Sequence, residues 1–322
     1  MLTFDFEKPI VELEKKVDEL QKYADEVQID ASEELKSLQN KRETVCKQIY
    51  DNLAPYQRVQ VARHPNRPYT LDYINMICDN FVELHGDRRF SDDQALIGGL
   101  ATIDEKQFMI VGHQKGRDTK DNIKRNFGMA NPEGYRKAMR LFEMADKFNL
   151  PILALIDTPG AYPGIGAEER GQAEAIAVNL REMMGIGTPI VCVVIGEGGS
   201  GGALGIGIGN RVLVMENSYY TVISPEGCAA ILFRDAARAS DAADAMRITA
   251  KYLLEFGIVE DIIPEPVGGA HRNHELAAKF FKEKIVKHFD ELSGMTPDEL
   301  KEARYQKFRK VGVFNETSES DG

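Results

Sequence analysis

Val191-Cys192-Val193-Val194-Ile195-Gly196-Glu197-Gly198-Gly199-Ser200-Gly201-Gly202-Ala203-Leu204-Gly205-Ile206-Gly207 passes from an unbroken apolar run into a stretch with almost no side chains. The β-branched start reads as a strand buried on both faces. Five of the seven residues from 196 to 202 are glycine, more than packing a strand against a helix requires. Glycine permits positive φ and lets a ligand approach main-chain N–H groups closely. A helix opening at Gly201 or Gly202 adds unpaired donors and the positive end of a dipole. The product is an anion or oxyanion hole.

Around this unit the chain alternates strands and helices, which predicts an α/β fold with a largely parallel sheet. Apolar positions at helical spacing, Ile10, Leu13, Val17 and Leu20, then Leu35, Leu38, Val45, Ile49 and Leu53, predict an N-terminal helical hairpin arm. It is either a layer covering the main domain or a clasp on a partner subunit. Asp30 followed by Glu33 resembles a capping box for its second helix. After the loop Arg63-His64-Pro65-Asn66-Arg67-Pro68, Thr70 is expected to cap a helix carrying Ile74, Ile77 and Phe81 that stops near Gly86. Leu96–Ile103 and Phe108–His113 read as a hairpin, and Asn131-Pro132 opens a helix through Phe148. Strands are expected at Ile152–Ile156, Pro189–Ile195, Arg211–Met215, Tyr220–Ser224 and Ile258–Ile263, with helices around 168–184, 201–209, 225–235, 241–256 and 271–290. Thr296-Pro297-Asp298-Glu299 starts a last helix. The polar, acidic tail from Asn315 is expected to be disordered.

With 322 residues, 43% of them hydrophobic and 28% charged, the chain can bury one large core. A net charge of −11 argues against nucleic-acid or anionic-membrane binding. No apolar stretch approaches the roughly 18 residues that cross a bilayer. The start Met-Leu-Thr-Phe-Asp-Phe-Glu lacks the basic and apolar regions of a signal peptide, so a cytoplasmic protein is expected. Cys46, Cys78, Cys192 and Cys228 are far apart and support neither a disulfide framework nor a zinc site. From Lys115 to Arg140, eight basic residues face three acidic ones. This is either a solvated helix face or a docking surface for a phosphorylated or carboxylated substrate, with Lys115 and Arg117 as its first cations.

Asp157-Thr158-Pro159-Gly160 resembles the magnesium-side motif of a GTPase, but no Gly-x-x-x-x-Gly-Lys-Ser/Thr phosphate loop accompanies it. His271 and His274 stand three apart, yet no third metal ligand is evident. Gly198-Gly199-Ser200-Gly201-Gly202 matches a Gly-x-Ser-x-Gly nucleophile elbow in the right strand–turn–helix context. Asp235, Asp241, Asp244 or Asp261 followed by His271 or His274 completes a Ser, Asp, His order. A serine hydrolase using Ser200 therefore competes with oxyanion-type acyl-CoA chemistry. The excess of glycine favours the latter, because it suits a ligand lying flat on backbone.

A second glycine-rich segment, Asp157 to Gln172, follows its own strand and precedes its own helix, so two such units can line one cleft. At this point the chain resembles the alpha subunit of bacterial acetyl-CoA carboxylase carboxyltransferase, in the crotonase-like superfamily. The motifs that carry the likeness are His64-Pro65-x-Arg67-Pro68-Tyr69-Thr70-Leu71-Asp72-Tyr73, Gly112-His113-Gln114-Lys115-Gly116-Arg117, Arg125-Asn126-Phe127-Gly128-Met129, Asp157 to Gln172, Gly196 to Leu204, Ile223-Ser224-Pro225-Glu226-Gly227-Cys228 and Glu265-Pro266-x-Gly268-Gly269-Ala270-His271-Arg272.

The resemblance implies a crotonase-like fold of repeated strand-strand-helix units. The chain then divides into the helical arm at 1–54, the carboxyltransferase domain at 55–292, and a C-terminal helix with the acidic tail at 293–322. It implies carboxyl transfer from carboxybiotin, on a separate biotin carboxyl carrier protein, to acetyl-CoA, giving malonyl-CoA for fatty-acid synthesis. In that mechanism two oxyanion holes hold the biotin ureido anion and the acetyl-CoA enolate, and no side-chain nucleophile is needed. The alpha subunit's hole falls on Gly201 and Gly202, or one residue later on Ala203, with Ser200 shaping the turn. Gly160, Ala161, Gly199, Ala203, Lys115 and Arg117 are the expected substrate contacts. The resemblance further implies a beta subunit that carries zinc and the enolate hole, an assembly of two alpha and two beta chains, no metal in this chain, and ATP used only by the biotin carboxylase component.

Overall fold

The computed structural model describes residues 3–312. The acidic tail lies outside the described residues.

The arm is a hairpin of α1 (Lys8–Val27) and α2 (Ser32–Asp51). Its base is anchored, because Ile10, Cys46, Tyr50 and Leu53 form a buried cluster with Val61. Near the turn Tyr23, Val27 and Ile29 are exposed. The expected capping box is replaced by a tighter device, in which Asp30 Oδ1 accepts from both the backbone N–H and the hydroxyl of Ser32.

After α3 (Pro55–Ala62) comes α4 (Thr70–Ile77), preceded by Tyr69 as its cap residue. Thr70 is therefore inside the helix, and its hydroxyl donates to the His113 carbonyl instead of capping. The helix also ends earlier than expected. Phe81 belongs to β1 (Asn80–Glu83), which pairs antiparallel with β2 (Leu96–Ile103). The hairpin from β2 to β3 (Lys106–His113) turns at Asp104 and Glu105, both with positive φ.

The parallel part follows: α5 (Thr119–Lys124), α6 (Pro132–Lys147), β4 (Ile152–Thr158), α7 (Ile165–Glu169), α8 (Gln172–Gly185), β5 (Ile190–Gly199), α9 (Ser200–Leu204) and β6 (Arg211–Met215). Then come β7 (Tyr219–Thr221), α10 (Pro225–Leu232), α11 (Ala239–Met246), α12 (Ala250–Glu255), β8 (Asp261–Ile263), α13 (His274–Leu292) and α14 (Pro297–Arg309). The single helix expected over 168–184 breaks at Gly171, whose φ is +81°. The one expected over 241–256 breaks at Arg247, also left-handed. Ser224 ends no strand; its hydroxyl accepts from Gly227 N–H and caps α10.

The sheet runs β1-β2-β3-β4-β5-β6-β8, parallel from β3 onward, and β7 pairs with the upper half of β5. Both faces are covered. Ile152, Ala154, Ile156, Cys192 and Val194 join the cluster under α6 and α8, while Leu153, Leu155, Val191, Val193 and Ile195 join the one that includes α4 and α13 residues. That explains the unbroken apolar runs, since alternate side chains enter two different cores. Truncating one of them, such as Leu155→Ala, costs about 2–5 kcal/mol.

Candidate active site

β4 and β5 are parallel neighbours, so their C-terminal turns emerge side by side. Glycine is required where they touch. A Cβ on Gly202 would lie 2.4 Å from the Gly160 carbonyl carbon and 2.5 Å from Ala161 N; one on Gly199 would lie 2.2 Å from Pro159 O. The structure thus brings Gly160, Ala161, Gly199, Gly202 and Ala203 together. Gly201 differs, because a Cβ there would meet only Ile176 Cδ1 at 3.9 Å.

The helix after β5 opens one residue earlier than expected, at Ser200, and lasts five residues. Ser200 takes φ +55°, a left-handed conformation costly for a residue with a Cβ. A helix this short leaves the N–H groups of its first turn without intrahelical acceptors. The turn after β4 has two donors already engaged: Gly160 N–H donates to Thr158 Oγ1 at 3.1 Å and Tyr162 N–H to the Ala130 carbonyl, ahead of α6, at 3.0 Å.

Behind the turns lies a buried ion network that tertiary structure alone assembles. Lys115 Nζ sits 2.7 Å from Asp157 Oδ1 and 2.7 Å from Glu197 Oε2, joining the ends of β4 and β5. Asp157 Oδ1 also accepts the Glu197 N–H at 3.0 Å. Arg63 Nε and the Tyr219 hydroxyl donate to Glu197 Oε1 at 2.6 and 2.7 Å. Burial opposes ionisation of Glu197, but Lys115 and Arg63 hold its carboxyl down to about 2. Burial likewise opposes the charge on Lys115, yet Asp157 and Glu197 keep it above the ordinary lysine range. One layer further down, the fully buried Arg67 donates to both oxygens of Glu265 and, through Nε, to the Ile195 carbonyl at 2.7 Å.

The structure gives Lys115 and Arg117, expected as substrate contacts, partners within the chain. Lys115 is spent on two buried carboxylates. Arg117 stacks on Tyr69, 3.8 Å from Cζ to ring centroid, donates to the Pro65 and Arg67 carbonyls, and pairs with Asp72. Both hold the frame. Much of the remaining basic stretch is also committed: Arg136 pairs with Asp87 and Lys137 with Asp92. Glu197 was the overlooked signal, a lone charge inside an apolar and glycine run, matched by Asp157 and Lys115 at or just past the ends of neighbouring strands.

The hydrolase arrangement does not form. Ser200 is exposed and its hydroxyl shares no hydrogen bond with an imidazole among the described residues. His271 stacks on His64 at 4.2 Å beside Glu7, and His274 faces the Asn66 carbonyl. Asp261 engages Lys284 and His288. Among the described residues no group of three or more metal-ligating side chains converges, and no helix is long and apolar enough to cross a membrane.

Solved structures share this architecture. A chain of the transcarboxylase 12S hexamer with methylmalonyl-coenzyme A bound superposes with a TM-score of 0.55 at 19% identity, over 79% of this chain and 44% of that longer one. A chain of a Pseudomonas malonate decarboxylase hetero-tetramer in complex with coenzyme A gives 0.58 at 17%, over 73% and 91%. The fold is that of the crotonase-like carboxyltransferases.

A sequence profile for the family described as acetyl co-enzyme A carboxylase carboxyltransferase-like matches residues 3–312. The acetyl-coenzyme A carboxylase carboxyl transferase subunit alpha of Fusobacterium nucleatum is 57% identical over 96% of this chain and 99% of its own. That of Synechococcus elongatus is 54% identical over 99% and 97%. The chain belongs to the acetyl-CoA carboxylase carboxyltransferase alpha-subunit family, and it is a carboxyltransferase enzyme subunit.

Proposed function

We propose that this chain holds the carboxybiotin side of a transferase that carboxylates acetyl-CoA to malonyl-CoA, the first committed step of fatty-acid biosynthesis. The observation that carries the reading is the contrast between the two turns: only the one after β5 opens directly into a helix whose leading N–H groups have no intrahelical acceptor. Biotin, delivered on its carrier protein, supplies the transferable carboxyl group. The residues suit its ureido oxygen, because Gly201 leaves open space at its missing Cβ next to bare donors. Gly201 and Gly202 N–H, with Ala203 as the alternative member, hold the oxygen as negative charge develops on it. Gly199 and the Gly160–Ala161 segment form the wall that sets their spacing. Removing one such donor elsewhere costs about 2.7–4 kcal/mol of barrier.

The enolate of acetyl-CoA requires a second set of donors, which this reading assigns to a beta subunit that also carries zinc, in a cytoplasmic assembly of two alpha and two beta chains served by biotin carboxylase. The arm at 1–54 and the C-terminal helix flank the transferase domain at 55–292. The test is carboxyl transfer from malonyl-CoA to a soluble biotin derivative, with this chain alone and mixed with the beta chain. Transfer only in the mixture is expected; ester cleavage by this chain alone, with no transfer in either case, overturns the reading.

A further inference from the structure

A five-residue helix cannot satisfy its own carbonyls, and two of those at α9 are met by buried side chains from the helices beneath it. The Tyr135 hydroxyl, on α6, donates to the Gly202 carbonyl at 3.3 Å. Asn179 Nδ2, on α8, donates to the Gly205 carbonyl at 2.8 Å and to the carbonyl of Tyr135 itself at 2.9 Å. Tyr135 is wholly buried and Asn179 is 1% exposed. A Cβ on Gly205 would lie 2.6 Å from the Tyr135 ring, so the ring is pressed against the base of the turn. Burial raises the phenol's pKa, which keeps the proton on the oxygen. The same pocket holds His113, fully buried, with its ring centroid 6.5 Å from that of Tyr135 and its imidazole beside the backbone of Leu155 and Gly202.

We propose that Tyr135 and Asn179 are positioning residues that aim the oxyanion turn, an inference that rests on the carboxyltransferase reading of that turn. In a planar trans peptide the C=O and N–H point in opposite directions. Holding the Gly202 carbonyl therefore orients the Ala203 N–H, which in α9 points back toward the carbonyl of the cap residue Gly199, and so braces the turn that leaves the Gly201 and Gly202 N–H groups unpaired. A hydrogen bond accepted by a carbonyl also polarises its peptide and strengthens the N–H as a donor. Asn179 fixes the far end of the turn and the backbone of Tyr135 together, so the donors need no reorganisation when charge appears. This favours Gly201 and Gly202 as the donor pair, because Ala203 stands four residues after the cap Gly199, where the hydrogen bonding of α9 begins.

The test is Tyr135→Phe in the assembled complex with the beta chain, beside Tyr73→Phe. Tyr73 is equally buried, but on the other face of the sheet, where its hydroxyl faces Met215 Sδ at 2.8 Å. For Tyr135→Phe, kcat should fall roughly tenfold, less than for loss of a direct donor, with KM for malonyl-CoA and the biotin derivative within about twofold. Tyr73→Phe should leave kcat unchanged. Retention of kcat by Tyr135→Phe overturns the proposal, as does an equal loss in Tyr73→Phe. If Tyr135→Phe does not assemble, 3-fluorotyrosine at 135 decides: the more acidic phenol should raise kcat, and an unchanged kcat overturns the role. A wild-type complex that transfers no carboxyl group would instead defeat the carboxyltransferase reading itself.

Discussion

The turns that follow β4 and β5 share a recipe of strand, glycine and helix, and they lie against each other, yet they do opposite things with their backbone. After β4 the Gly160 and Tyr162 N–H groups are consumed by Thr158 and Ala130, and the next helix waits until Ile165. After β5 the helix begins at once, in a left-handed serine, and its carbonyls are drawn down by Tyr135 and Asn179. One turn is a wall and the other an array of donors. Glycine content alone does not separate them; an account of where each N–H goes does.

The strongest way to break this contrast is Gly202→Val. Its Cβ would enter the Gly160–Ala161 backbone, so transfer should be lost almost completely and thermal unfolding should show a cost of several kcal/mol, in the range of overpacked cores or above. Normal turnover in that variant would mean the two turns are not the site.

Next comes Lys115→Met, which leaves Asp157 and Glu197 buried without their shared cation. Breaking such a pair costs roughly 3–5 kcal/mol, measurable as a urea midpoint shift near neutral pH. The pH dependence has a definite sign. Glu197 is held at about 2, below its ordinary 4.5, so its paired state stabilises wild type above 4.5, and that contribution fades as pH falls toward 2. The stability gap between wild type and Lys115→Met should therefore be widest above about pH 4.5 and narrow on acidification. A gap that widens in acid would remove Lys115 as the clamp between the turns.

The finest comparison is Gly201→Ala against Gly160→Ala. Both positions have room for a Cβ, but Gly160 has φ +158°, so Gly160→Ala should cost about 1–3 kcal/mol of stability while Gly201→Ala unfolds within about 1 kcal/mol of wild type. Only Gly201→Ala should lose transfer, by about tenfold or more, because its methyl group occupies the substrate side of the donor array. Equal losses in steady-state transfer would make the first turn a substrate contact in its own right.

Much of this was legible in local sequence. The strand expected over Pro189–Ile195, the hairpin around Asp104 and the capping box at Thr296 follow from patterns a few residues long, and the structure contains each of them, although β5 runs on through the glycines to Gly199 because β7 pairs with it there. Phe81 was misread because a single aromatic at helical spacing does not reveal that β2 offers it an edge to pair with. Thr70 looked like a cap because nothing local shows the His113 carbonyl that claims its hydroxyl. The partners of Lys115 and Arg117 were not legible locally, because their carboxylates lie 42 and 82, and 45, residues away.

By itself, then, the sequence determined that two buried parallel strands end in glycine turns and that the chain belongs with the carboxyltransferases its long motifs resemble. Short-range sterics and burial suffice for that. Only the tertiary structure decided which turn keeps its donors, which cations are spent on buried carboxylates, and that Tyr135 and Asn179 grip the carbonyls of α9. Those outcomes depend on which polar groups meet when strands and helices distant in sequence close over one another, since a buried donor or acceptor must find its partner wherever the fold places it.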